Sequence, residues 1–251
     1  MLIFYVRHGD PIYNPDSITP LGEKQAESVA KRLALFGIDE IYASTSNRAI
    51  QTAKPLCDLL NKQLTTLSFL NENDLEELQI PIEGKSTTSW VWSHPYYAEV
   101  LCRRDVRVMG DNWYKHPELI NFHFENVLDP IGDKLDELIA SHGYVHDREK
   151  GLYKVTERNY EKRIAIFAHE CMSKIVMSRL LDIPFPYVAE HFEMKPSAFT
   201  VIRFDDNASK AKTDIPKPYA RARVLTYSND SHLYRDGLPL GHNSTSIRDR
   251  Y

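Results

Sequence analysis

The sequence predicts an α/β fold: a three-layer sandwich with a mainly parallel central sheet, helices on both faces and a helical insert over the active site. Three observations lead there. Short apolar runs rich in β-formers, such as 2–6 and 163–169, are bounded by polar residues, as strands buried on both faces are. Segments of helical period, with capping residues at their ends, lie between such runs. Through roughly the first 70 residues the order is strand, helix, strand, helix, strand, the alternation that builds a parallel sheet covered by helices.

The elements follow in order. Leu2 to Val6 reads as a buried strand. Thr19 and Pro20 supply an N-cap and a first helical position. Ala26, Val29, Ala30, Leu33 and Phe36 keep helical spacing, and Gly37 closes that helix. Residues 38–44 ("IDEIYAS") form a second strand. Ser46 or Asn47 caps a helix over 48–61, and Leu64 to Leu70 is a third strand. Residues 86 to about 125 break the pattern and hold all three tryptophans, Trp90, Trp92 and Trp113, so an inserted, mostly helical segment is expected. Residues 131–143 are an amphipathic helix ending near Gly143, and 144–162 are a polar surface excursion. A buried strand over 163–169 precedes a helix that stops before Pro184. Two late strands, 198–204 and 222–228, flank the loop "DNASKAKTDIPKP". The whole chain, 1–251, is read as one domain, with approximately 86–125 as a helical cap.

Composition excludes several function classes. With 42% hydrophobic and 26% charged residues and a net charge of −4, nothing points to nucleic acid or an anionic membrane as partner. No apolar run reaches membrane-spanning length, and "MLIFYVRHGD" is too short and too soon charged for a secretory signal. The three cysteines, Cys57, Cys102 and Cys171, lack paired spacing. A cytoplasmic protein without structural zinc is expected.

Chemistry gathers at strand ends, where ligands bind in open α/β sheets. The first strand closes on Arg7, His8 and Gly9. Arginine suits bidentate phosphate recognition, glycine allows close backbone approach, and the histidine can act as nucleophile, base or donor. Arg48 begins a helix, an electrostatically poor place for a cation unless an anion is bound there. His169 closes a third strand immediately before a helix. His142 and His146 have metal-like spacing, but Gly143 between them breaks the helix such a site would need, so they are expected to be surface histidines. Cys171 is expected in the core or the wall of a pocket, and Arg103, Arg104 and Arg107 on a solvated helix face.

Together these residues resemble the histidine phosphatase superfamily, also called phosphoglycerate mutase-like, and its phosphatase branch in particular. Its RHG triplet is matched by Arg7-His8-Gly9, and its arginine followed by A-x-Q-T-A by Arg48, Ala49, Gln51, Thr52 and Ala53. Its late strand-end histidine is matched by His169, and an asparagine five residues beyond the glycine by Asn14. The L-x-E…E-G block is matched by Leu75, Glu77, Glu83 and Gly84, and "SNDSHL" is similar to the closing segment. The likeness spans 2–84 and 163–233. It departs at Glu170 and Cys171, where many members have Gly-Gly, at Asp10, and in an E-G block one residue short.

The resemblance implies metal-independent phosphomonoester hydrolysis of a small phosphorylated metabolite, without a cofactor. His8 is the implied nucleophile. Arg7, Arg48, His169 and Asn14 are the implied phosphate ligands, and Glu77 the implied acid and base, ahead of Glu76, Asp74 and Asp10. The alternatives are a phosphoglycerate mutase-type phosphotransferase and an inactive relative that binds a phosphorylated ligand or a protein. A homodimer is compatible with this reading.

Overall fold

The computed structural model describes residues 1–84, 86–205 and 218–241. Strand β1 (Leu2–Arg7) divides two cores: Phe4 and Val6 enter one, Ile3 and Tyr5 the other, the two-residue period of a strand buried on both faces. The chain then forms a small hairpin, β2 (Pro11–Tyr13) and β3 (Asp16–Ile18), which the sequence reading missed because its two arms are only three residues each. Helix α1 (Pro20–Ala34) starts where expected, with the Thr19 hydroxyl accepting from the Gly22 N–H at 3.0 Å. Strand β4 (Glu40–Ser44), helix α2 (Asn47–Leu60) and strand β5 (Leu64–Leu67) follow. The third strand is shorter than the sequence implied. After Leu67 the chain runs through two 3-10 segments, Ser68–Leu70, which buries Leu70 in the core, and Glu72–Leu78.

A second hairpin, β6 (Gln79–Pro81) and β7 (Thr88–Trp90), leads through a 3-10 turn into α3 (Pro95–Cys102), α4 (Arg104–Arg107) and two further 3-10 turns. Trp92, Val100, Leu101, Val106 and Trp113 from this stretch join the same core as Ile3 and Tyr5. Arg104 and Arg107 are exposed, while Arg103 pairs with Asp105 and Glu118, each at 2.7 Å. Helix α5 (Phe124–Ser141) begins seven residues before the amphipathic run read from sequence, because Phe124 and Val127 extend its buried face.

The polar stretch 144–162 is not a plain surface excursion. It holds β8 (Tyr144–Asp147) and β9 (Leu152–Val155), where Tyr153 is buried and Lys154 exposed. Strand β10 (Arg163–Ala168), α6 (Glu170–Leu181) and α7 (Phe185–His191) come next; α7 follows Pro184 and was not foreseen. Strands β11 (Phe199–Phe204), β12 (Tyr219–Ala220) and β13 (Ala222–Asn229) and helix α8 (Ser231–Arg235) complete the described chain. Of the expected loop between the late strands, residues 206–217 lie outside the described residues.

The central sheet has six strands in the order β13-β11-β1-β10-β4-β5, and β12, β9 and β8 form a separate three-stranded sheet. Four neighbouring strands, β1, β10, β4 and β5, run parallel, and β11 is antiparallel to its neighbours. Helices α1 and α2 cover one face through Val29, Leu33, Ala53 and Leu56. Helices α5 and α6 cover the other through Leu135, Ile139, Met172 and Val176. The expected three-layer sandwich is therefore present. No described helix is long and apolar enough to cross a membrane.

His142 and His146 are not surface residues. His142 is buried beside the Tyr42 hydroxyl at 3.2 Å. The His146 ring is enclosed between Asp136 and Asp182, each at 2.9 Å. Both are absorbed by tertiary partners, and among the described residues no cluster of metal-ligating side chains exists.

Candidate active site

Register assembles the site. Arg7 on β1 pairs with Ala168 on β10, and Phe167 pairs with Ala43 on β4. The next residues out, His8 and His169, therefore emerge side by side at the carboxyl edge, with ring centroids 5.3 Å apart. Arg48 reaches the same edge from the first turn of α2.

Local bonds hold the His8 turn. Its backbone N–H donates to the Ala168 carbonyl at 2.9 Å, and its carbonyl accepts from Ser197 at 3.0 Å. The Thr52 hydroxyl accepts from the Gly9 N–H at 3.0 Å and donates to the Arg48 carbonyl at 2.7 Å. The structure gives the glycine a further reason. A Cβ at Gly9 would lie 2.8 Å from the Gly22 carbonyl oxygen at the start of α1. That constraint is backbone meeting backbone.

The His8 imidazole is almost fully buried, and its Nδ1 lies 2.7 Å from the Gly9 carbonyl. A carbonyl only accepts, so Nδ1 carries the proton and Nε2 the lone pair. Burial holds the ring well below the usual histidine range, and Arg7, His169 and Arg48 push the same way. The ring is thus neutral in ordinary buffer, as a nitrogen nucleophile must be.

Around it stand donors that the protein leaves unpaired. The Arg7 Nε, the Arg48 Nε and the His169 Nδ1 are all buried without a hydrogen-bond partner. Arg7 is anchored through Nη1 to the Met194 carbonyl at 2.5 Å. Arg48 is anchored through Nη1 to Asp16 at 2.7 Å. Asp16 also accepts from the Asn47 N–H at 2.7 Å, so the anion at the start of α2 is the chain's own carboxylate. The His169 Nε2 lies 2.9 Å from the Ser44 hydroxyl, whose oxygen already accepts from the Ser46 N–H. With Ser44 donating to Nε2, the ring proton sits on Nδ1, the nitrogen that has no hydrogen-bond partner. Burial, then Arg48 and Arg7, lower His169 to about 3, so this ring too is neutral.

The structure does not bring Glu77 to this group: Glu77 is exposed. Glu72 is there instead. Its Oε1 accepts from the Cys171 N–H at 3.0 Å, and its Oε2 lies 3.4 Å from Arg48 Nη2 and 3.7 Å from His169 Nδ1. Burial raises its carboxyl above the ordinary value, against the pull of Arg48 and the Cys171 N–H. A signal for Glu72 was available. It is the first acid after the third strand of the sheet, at the same strand-end edge as the other residues. The alternatives Asp10 and Glu76 are also placed differently: Asp10 accepts from the Thr19 hydroxyl at 2.7 Å, and Glu76 is exposed. Asn14 lies in the exposed turn of the β2–β3 hairpin and does not line the cavity over His8. Cys171 lines that cavity, and burial, with Glu72 and Glu170, pushes its thiol well up, so it stays protonated and a poor nucleophile.

The cavity over His8 has a volume of about 380 Å³. Its floor holds Arg7, His8 and Glu72, and its walls include Trp90, Trp92 and Glu170. The two indoles lie parallel, 5.4 Å apart.

Residues 3–213 match the sequence profile of the histidine phosphatase superfamily (branch 1). The chain belongs to that superfamily. Among its relatives, a probable phosphoglycerate mutase, GpmB, from Yersinia enterocolitica is 34% identical over 100 residues, 36% of this chain and 46% of that protein. The match thus spans about half the length of that relative. A protein from Hydrogenobacter thermophilus, provisionally named phosphoserine phosphatase 2, is 29% identical over 56% of this chain and 68% of its own. Superfamily members of known structure share the fold. A mycobacterial glucosyl-3-phosphoglycerate phosphatase superposes with a TM-score of 0.56 over 90% of this chain and 98% of its own, at 16% identity. A phosphoserine phosphatase from Entamoeba histolytica, solved with phosphoserine, superposes with a TM-score of 0.54 over 92% of this chain and 98% of its own, also at 16% identity.

Proposed function

We propose that this histidine phosphatase superfamily member is a metal-independent phosphomonoesterase acting through a phosphohistidine at His8. The observation that carries the reading is the set of three buried, unpaired donors, Arg7 Nε, Arg48 Nε and His169 Nδ1, around a neutral imidazole. Unpaired buried donors are costly, and a phosphoryl group brings the acceptors they lack.

In this reading His8 Nε2 attacks phosphorus in line while the bond to the alcohol oxygen breaks. Arg7, Arg48 and His169 balance charge on the non-bridging oxygens. Glu72, whose protonated form burial favours, gives its proton to the departing alkoxide. The resulting carboxylate then takes a proton from water as that water attacks the phosphohistidine, releasing phosphate and restoring both groups. Glu72 replaces Glu77 in the acid role because it is the buried carboxyl beside the donors. The phosphoserine phosphatase and glucosyl-3-phosphoglycerate phosphatase among the related proteins support hydrolysis. The relative named as a phosphoglycerate mutase supports transfer to a second oxygen. Incubation with a phosphoglycerate separates them: hydrolysis yields inorganic phosphate, and transfer yields an isomer.

The test is hydrolysis of p-nitrophenyl phosphate and of an alkyl phosphate with EDTA present. His8→Ala is expected to abolish both. Glu72→Gln is expected to lower kcat/KM for the alkyl ester by about 10²–10³-fold, with a smaller loss on p-nitrophenyl phosphate, whose leaving group needs little protonation. Glu77→Gln is expected to stay within about twofold, as distant surface changes do. Turnover that survives the loss of His8, or equal losses in the two glutamate variants, would contradict the assignment.

A further inference from the structure

The wall of the cavity away from the phosphoryl-binding donors has an unusual charge arrangement. Among the described residues, the cations that line this cavity are Arg7 and Lys174. Lys174 is spent. Its Nζ donates to the Ala189 carbonyl at 3.0 Å and the Phe192 carbonyl at 2.7 Å, and pairs with Glu170 at 3.0 Å. Its charge is matched by Glu170, whose Oε1 is itself buried without a hydrogen-bond partner. Glu193 adds a further carboxylate to the same wall, and Trp90 and Trp92 add a flat apolar surface. Glu170, one of the departures from the family pattern, thus cancels the cation one turn along α6.

We infer that the alcohol portion of the substrate carries no carboxylate: the site takes a phosphomonoester of a neutral alcohol, and favours one bearing an amine. The inference rests on the proposed phosphoryl transfer at His8. A carboxylate on the departing alcohol would meet Glu170 and Glu193 beside lysines, Lys174 and Lys195, whose charges those glutamates already take up, and a further like charge brought into such a cleft is costly. A neutral hydroxyl can donate to those carboxylates. An ammonium gains from both the carboxylates and an indole face.

Three phosphomonoesters of similar size test this: phosphoethanolamine, glycerol 3-phosphate and 3-phosphoglycerate. Their kcat/KM values would be measured beside p-nitrophenyl phosphate, and their Kd values on His8→Ala. The expected order is phosphoethanolamine, then glycerol 3-phosphate, then 3-phosphoglycerate, with at least about a tenfold gap between the last two. Glu170→Gln leaves the Lys174 charge without its carboxylate, so the ratio of 3-phosphoglycerate to glycerol 3-phosphate should rise about tenfold. Glu193→Gln, on a more exposed residue, should raise it about two- to threefold. In the wild type, 3-phosphoglycerate used as well as glycerol 3-phosphate overturns the inference. A ratio unmoved by both glutamate variants overturns its electrostatic cause. Loss of all turnover, p-nitrophenyl phosphate included, would count against the phosphatase reading alone. The Kd order on His8→Ala then decides the inference: the same order upholds it, and equal affinities for the last two overturn it.

Discussion

Raising the pH should unlock a clamp behind the active site. His146 on β8 is enclosed between Asp136 on α5 and Asp182 at the end of α6, each at 2.9 Å, and its ring stacks on Tyr153 with centroids 4.4 Å apart. The two carboxylates outweigh the cost of burial and raise its pKa from 6.5 to about 9. Below 6.5 the folded and unfolded chains both hold the proton, and the full stabilisation is present. Between 6.5 and about 9 the unfolded chain has released the proton while the folded chain keeps it, so stability falls with rising pH. Above about 9 the contribution is gone. At ~1.36 kcal/mol per unit, that interval amounts to about 3 kcal/mol. The assay is urea unfolding of the wild type and His146→Gln at about pH 6 and about pH 9.5. Other titrating groups are common to both proteins, so the stability gap between them should shrink by about 3 kcal/mol at the higher pH. A gap of the same size at both pH values would refute the account. The clamp matters to function because the opposite end of α6 follows His169 and carries Cys171, whose N–H holds Glu72.

Other outcomes follow from the same geometry. The pH profile of kcat/KM should fall on the acid side only well below 6.5, where His8 gains a proton, and on the alkaline side as the raised Glu72 carboxyl ionises; Glu72→Gln should flatten the alkaline limb. Thr52→Val keeps the side-chain shape but leaves the buried Gly9 N–H without its acceptor, so it should cost about 1–3 kcal/mol in unfolding and lower kcat as well. Gly9→Ala forces a Cβ within 2.8 Å of the Gly22 carbonyl; it should cost about 1–3 kcal/mol and most of the activity, and calorimetry with an assay of the same sample would check both.

Local chemistry alone announced much of this protein. Apolar runs bounded by polar residues marked β1, β4 and β10, because a strand buried on both faces cannot hide its composition. Thr19-Pro20 marked a helix start, because capping uses only the residues beside it. The cations at the strand ends followed from the rule that parallel strands deliver their carboxyl ends to one edge. The β8–β9 hairpin, by contrast, was hidden in a polar stretch whose one buried face is supplied by Tyr144 and Tyr153 against distant partners. Helix α7 lay beyond a proline that reads equally as a stop or a start.

At the site the division is sharper. That Arg7, His8, Arg48 and His169 share an edge was legible from their own segments. Which carboxyl joins them was not, because "NENDLEEL" presents several acids in a row, and only the turn after β5 decides that Glu72 faces inward while Glu77 faces solvent. Register between β1 and β10, the Gly9–Gly22 contact between backbones and the Glu170–Lys174 pair are likewise tertiary decisions. Each depends on which atoms from distant parts of the chain come within a few ångströms, and burial, which sets the protonation of His8 and Glu72, belongs to the assembled structure and to no segment of the sequence.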